Sequence, residues 1–132
     1  MKKIVPVIIA IIIVGGVGLY FFVFNTNQEK PEVRVEYSPG EFFTTNVGGG
    51  SSRLLKAGII LVVNENGLED MLTRDNARIR DTIIFILRNL TEEEIKEPGT
   101  QETLRNRLIT ALNEKLGIDN IVEVLFNDFV MA

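Results

Sequence analysis

The run Leu54-Leu55-Lys56-Ala57-Gly58-Ile59-Ile60-Leu61-Val62-Val63 decides the fold class. It is rich in Ile and Val and too continuous to have one wet face, so it predicts a central strand covered on both sides. Asn64-Glu65-Asn66-Gly67 then breaks the chain. Upstream, Val33, Val35 and Tyr37 alternate with Arg34 and Glu36, the period-2 pattern of a half-buried strand, and Pro39-Gly40 marks a turn. Phe42 to Val47 predicts a second short strand.

Downstream the period changes to that of a helix. Between Leu68 and Leu90, the residues Leu72, Ile79, Ile83, Ile86, Leu87 and Leu90 fall on one side of a helical wheel and form a core-facing stripe. Asn76 falls inside that stripe, so the helix either starts near Arg74 or is irregular there. Thr91 followed by Glu94 fits a capping box, which makes Glu92-Glu93-Glu94 a first helical turn suited to the helix dipole and not a metal site. Pro98-Gly99 stops this short helix. Thr100 then caps another, with a stripe of Leu104, Leu108, Ala111, Leu112 and Leu116 closed by Gly117. Ile121 to Val130 reads as a final strand. The order β, β, β, α, α, α, β has no internal repeat and no strict βαβ alternation, which predicts a compact α+β domain with a small sheet packed by helices.

The N-terminal region is of another kind. Of the 21 residues from Ile4 to Phe24, 17 are apolar and none is charged. At about 1.5 Å per residue such a helix spans about 31 Å, enough for a hydrocarbon core of about 30 Å. Lys2 and Lys3 flank one end and Tyr20, Phe21, Phe22 and Phe24 gather at the other as interfacial anchors. By the positive-inside rule the N-terminus lies in the cytoplasm and everything after Phe24 lies outside. The rival reading is a cleaved signal peptide cut after Gly18, disfavoured because apolar residues continue to Phe24. Glycines 15, 16 and 18 have no G-x-x-x-G spacing. The expected organisation is a cytoplasmic N-terminus (1–3), a transmembrane helix (4–24), a polar linker (25–32) and an extracytoplasmic domain (33–132).

Composition then removes most chemistry. The chain of 132 residues has no Cys, His or Trp, so disulfides, thiolate nucleophiles, Cys or His zinc sites and His-based triads are excluded, and no Cys is available for a lipid anchor. Residues 25–132 carry 12 basic and 18 acidic side chains, a net charge of −6 with no basic stripe, which disfavours nucleic acid. The loop Gly48-Gly49-Gly50-Ser51-Ser52 lacks both phosphate-cradling glycine spacings. Ser52 and Lys56 have a spacing that arises by chance, and a Ser in a flexible loop makes a poor nucleophile. The chain therefore reads as a non-enzyme without cofactor, metal or small-molecule substrate.

Two sets of residues stand out as candidates for binding or for shape. On the helix face opposite the apolar stripe, Phe85 sits among Arg74, Arg78, Asp81 and Arg88, an exposed aromatic among charges of the kind found at interfaces; the bland alternative is that a loop or the sheet covers it. Arg80 and Arg105 lie at the edges of their helices' stripes, where a guanidinium can pair with Glu123 or Asp128 and tie helix to final strand, or simply reach solvent.

The stretch Ile79-Arg80-Asp81-Thr82-Ile83-Ile84-Phe85-Ile86-Leu87, followed by Thr91-Glu92-Glu93-Glu94, Gly99 and Leu104-Arg105, resembles the FliL family of flagellar basal-body-associated proteins. Supporting matches are Asn46-Val47, Arg53-Leu54-Leu55-Lys56, Val122-Glu123-Val124-Leu125-Phe126 and Asp128-Phe129-Val130. Asn127-Asp128, Met131-Ala132 and Phe85 depart from the family pattern. The resemblance implies a single-pass inner-membrane protein with a stomatin/prohibitin-like (SPFH-like) domain. It also implies self-association into a ring around motor stator units, supporting torque, swimming or swarming, with the basal body's membrane ring as a further candidate contact. Glu32, Arg34 and Glu36, in the mixed-charge stretch beside the membrane, are then candidate contacts to a stator's linker. The alternative is a stomatin-like scaffold for a non-flagellar membrane complex.

Overall fold

The computed structural model describes residues 3–26 and 31–132, with the side chains of all but residues 24–26. The chain divides into two compact units, residues 1–32 and 33–132. Lys2, residues 27–30 of the expected linker and the Phe24 side chain lie outside the described residues.

The first unit is one helix, α1 (Val5–Thr26). It is apolar all round, and side chains such as Ile12 and Val14 are exposed. A helix of this kind is stable where its surroundings are themselves apolar. By length and composition it is able to cross a membrane once.

In the second unit, β1 (Val35–Tyr37), β2 (Phe43–Asn46), β3 (Leu54–Val63) and β4 (Ile121–Met131) form one antiparallel sheet. β1 pairs with Leu61–Val63 and β2 with Leu54–Ala57, while β4 pairs along nearly all of β3. Since β4 occupies one edge of β3 throughout, β1 and β2 lie end to end on the other. They act as one strand interrupted by the loop 38–42, and the sheet is three rows wide.

One face of the sheet carries the core. Phe43, Leu55, Ala57, Ile59, Leu61, Val63, Ile121 and Val124 are almost wholly buried there against α2 (Glu69–Arg74), α3 (Asn76–Arg88), α4 (Glu92–Lys96) and α5 (Thr100–Leu116). The helices contribute Leu72, Ile79, Ile83, Leu87, Leu104, Leu108 and Leu112. Each such side chain stabilises the fold by about 1.5–3 kcal/mol relative to exposure. α5 ends as expected at Gly117, whose φ of 67° is the left-handed conformation that closes a helix with little strain in glycine.

Four sequence expectations are corrected. No layer covers the second face of β3 among the described residues: Leu54 and Lys56 are exposed and Ile60 is half-buried. Val62 is buried on that face because Arg34, at the entrance to β1, reaches across β3 to pair with Glu123 on β4. The two rows are about 10 Å apart, a gap these long side chains span, so Val62 is roofed by an ion pair instead of a layer. Second, the stretch from Leu68 to Leu90 is two helices, broken at Asp75 (ψ 14°) into α2 and α3, so the irregularity expected at Asn76 is a full break. Third, Thr100 is the first residue of α5 and Gly99 the cap, because the turn after Pro98 takes Gly99 to φ 89°. Fourth, only half the capping box at α4 forms, with the Thr91 hydroxyl accepting from the Glu94 N–H at 3.2 Å.

Candidate functional site

α3 presents the candidate surface. Burial of Ile79, Ile83, Ile86 and Leu87 turns Arg78, Asp81, Phe85 and Arg88 away from the sheet. Phe85 is 69% exposed, so nothing within the second unit covers it. Two side chains close on the helix backbone beside it: the Thr82 hydroxyl donates to the Arg78 carbonyl (2.9 Å) and the Asn89 side chain to the Phe85 carbonyl (2.7 Å). Arg78 and Asp81 also line an open depression with Ala77 and with Lys115 of α5. Lys115 joins this surface only through helix packing, which no spacing in the sequence reveals.

Arg80 and Arg105 make none of the ion pairs expected of them. Glu123 is taken by Arg34, and Asp128 by Lys56 at 3.7 Å. Arg80 instead lies 4.5 Å over the Phe43 ring and donates to the Pro39 carbonyl at 3.1 Å. Asn76 completes that contact, donating to the same carbonyl (3.0 Å) and to the Tyr37 hydroxyl (2.8 Å), which in turn donates to the Leu72 carbonyl (3.2 Å). An Asn in an apolar stripe is thus the latch that fastens the loop between β1 and β2 to the break between α2 and α3. Arg105 pairs with Glu102 of its own helix (3.0 Å) and lies 5.4 Å from the Phe126 ring. The tie between α5 and the last strand is therefore cation–π, because the strand turns aromatic side chains toward the helix and Asp128 away from it.

The glycine loop has a structural use that its composition did not announce. The Gly48 N–H donates to the Leu90 carbonyl at 2.7 Å, and a side chain at Gly48 would meet the Arg88 and Leu90 carbonyls at 3.1 Å. Beyond it the Ser51 hydroxyl bonds the Glu92 carboxylate, with Arg53 at 3.7 Å and Lys96 at 3.9 Å. The Ser51 hydrogen bond holds the Glu92 carboxyl below its usual range; partial desolvation opposes this, and the two cations assist. Lys56, the other half of the Ser52–Lys56 spacing, is engaged by Asp128 and by the Phe42 ring at 4.0 Å. Among the described residues no group of three or more acidic side chains is placed to hold a metal.

The family model for the flagellar basal body-associated protein FliL matches residues 37–131. The chain belongs to the FliL family. No match is found among curated proteins.

Membership makes this a flagellar, motility-associated protein of a structural and accessory family, not an enzyme family. The FliL match runs from Tyr37 to Met131 and so takes in β2 to β4, all the helices of the second unit and the latch at Tyr37. α1 lies outside the match and fits a single-pass membrane protein. On it Tyr20 and Phe21 meet edge to face, with centroids 6.4 Å apart, and Phe22 is exposed; Lys3 precedes the helix. Such rings at one end of an apolar helix suit the interface of a bilayer, where an amphipathic or flat side chain is most stable.

Proposed function

We propose that this FliL-family chain is held in the inner membrane by α1, with Lys2 and Lys3 on the cytoplasmic side and residues 33–132, after a linker at 25–32, on the outer side. It assembles with copies of itself into a ring around motor stator units and steadies their engagement for torque, swimming or swarming. In this reading the second unit is an SPFH-like module. Phe85 with Arg78, Asp81 and Arg88 forms a partner contact, and Glu32 and Glu36 meet a stator linker while Arg34 serves the sheet.

The observation that carries this reading is an exposed Phe among charged residues on the outer face of α3 in a family tied to the flagellar basal body. A tether in the same membrane raises effective concentration, so weak contacts suffice. The test is purification of the full chain in detergent after cross-linking in flagellated cells. Recovery of oligomers cross-linked to stator subunits, reduced by Phe85→Ala, supports it; a monomer with no stator cross-link overturns it. Because the chain lacks Cys, single cysteines at Lys3 and Lys115 labelled with a membrane-impermeant maleimide test the orientation, with labelling from outside expected only at position 115.

A further inference from the structure

β4 is paired along one edge only. The mutual bonds between Leu54 and Ala132 (3.1 and 2.9 Å) fix the phase of its ladder with β3. Hydrogen-bonded positions alternate in an antiparallel pair, so Val130 and Asp128 turn their main chain toward β3, and Phe129 and Met131 turn theirs away. Beyond the register shift at Asn127, the same phase along β3 turns Phe126, Val124 and Ile121 outward, Val124 being wholly buried. At Ile121 the outward N–H and C=O are both taken by the Asn113 carboxamide, at 3.1 and 2.9 Å. At Phe126, Phe129 and Met131 no backbone or side-chain partner takes them among the described residues.

The same three side chains face the core yet stay partly exposed. Beside Phe129 and Met131 lies a groove of about 550 Å³, bordered by Ile95, Pro98, Gln101 and Arg105. Phe126 and Phe129 meet edge to face within 5.4 Å. Arg105 spends one nitrogen on Glu102, a mostly exposed residue, and its Nε is buried without an acceptor.

We infer that β4 from Phe126 to Met131 is a strand-addition site for a short extended peptide that carries a carboxylate. Unpaired main-chain donors and acceptors in strand register select an extended peptide. The half-covered aromatic pair selects apolar side chains at alternate positions, and the part-exposed Arg105 guanidinium on the groove wall, whose partner Glu102 is itself mostly exposed, selects an acid. The strand also lacks two usual defences of an edge, having neither Pro nor Lys, and its last four residues, beyond the bulge at Asn127, stay in continuous register with β3. This site does not depend on the ring or stator reading and lies on different elements from the α3 surface.

The full chain in detergent micelles is used to select from a library of random nine-residue peptides. The selected sequences are then synthesised with fluorescein for anisotropy. Enrichment of alternating apolar residues with one acid is expected. So is a tenfold or greater loss of binding when the backbone amides along one edge are N-methylated, and a several-fold loss for the amide in place of the acid or for Arg105→Gln. Amide exchange at Phe129 and Met131 should slow on saturation, a readout independent of any effect of Arg105→Gln on folding. A selection without this pattern, binding indifferent to N-methylation, or exchange unchanged at both positions overturns the proposal. Exchange at these two amides that slows with protein concentration alone also overturns it, since a second copy would then fill the edge.

Discussion

Thr45 is 5% exposed on the core face of β2, and its hydroxyl has no hydrogen-bond partner. Its backbone neighbour across the ladder is Leu55, itself wholly buried. A buried polar group without a partner costs about 1–3 kcal/mol in desolvation, while the surrounding ladder gives the hydroxyl no return. Thr45→Val replaces it by a methyl group of nearly the same size, so neither a cavity nor crowding is created. The expected result is a gain of about 1 kcal/mol, the lower end because a β-sheet residue near an edge relaxes readily. For a domain of about 100 residues this raises Tm by about 4–8 °C. Thr45→Ala serves as the control: relief of the hydroxyl is offset by loss of a methyl worth about 0.8 kcal/mol, leaving stability close to that of the parent. Both are measured by urea unfolding of the full chain in micelles, followed by circular dichroism of the second unit. A destabilised Thr45→Val with a still weaker Thr45→Ala would refute the reasoning, because that order requires a hydroxyl with a real acceptor.

Three other outcomes follow from the same geometry. Asn76→Ala removes donors to Pro39 and Tyr37 and should cost about 1–3 kcal/mol in urea unfolding; a loss below 0.5 kcal/mol, on the order of a neutral surface change, means that the latch is idle. Glu92 has its folded pKa lowered from 4.5, so its contribution is complete above that value and disappears as pH falls through the folded pKa; Glu92→Gln should therefore flatten the acid limb of the stability profile, and an unchanged limb contradicts the Ser51 contact. Phe85→Ala should leave thermal stability within about 0.5 kcal/mol, since the ring is largely exposed, while lowering cross-linking to the partner; a marked loss of stability would show the ring to be part of the fold.

Helices were legible in the sequence because their apolar residues recur at a period set by local geometry. The stripe Ile79, Ile83, Ile86 and Leu87 is buried as its spacing requires, and Gly117 closes α5 where a left-handed residue is needed. The α+β class followed from element order alone. The break at Asp75 was half legible: Asn76 flagged the irregularity, but its cause is Tyr37 and Pro39, 39 and 37 residues away in sequence. The coverage of β3 was misread because continuous apolarity reports burial without saying what does the burying, and Val62 is shielded by the side chains Arg34 and Glu123 from the two outer rows. Ion pairing was the least legible, since carboxylate partners depend on strand register: a bulge at Asn127 decides which way Asp128 points. Arg78, Asp81, Phe85 and Arg88 lie on the exposed face of α3 that their spacing implies, whereas Lys115 joins them only through the packing of α5.

The interrupted row of β1 and β2 has a mechanical meaning. β1 enters the sheet beside Val63 and runs toward the opposite end of β3, where Ala132 bonds Leu54. A pull delivered along the strand axis through residue 33 therefore loads the bonds of β1 side by side, in shear, and not one at a time. Arg34 shares that load with β4 through Glu123, and Tyr37 hands it to the helices through Leu72 and Asn76. Three residues of strand thus act as a rivet that spreads a pull on residue 33 over the whole second unit.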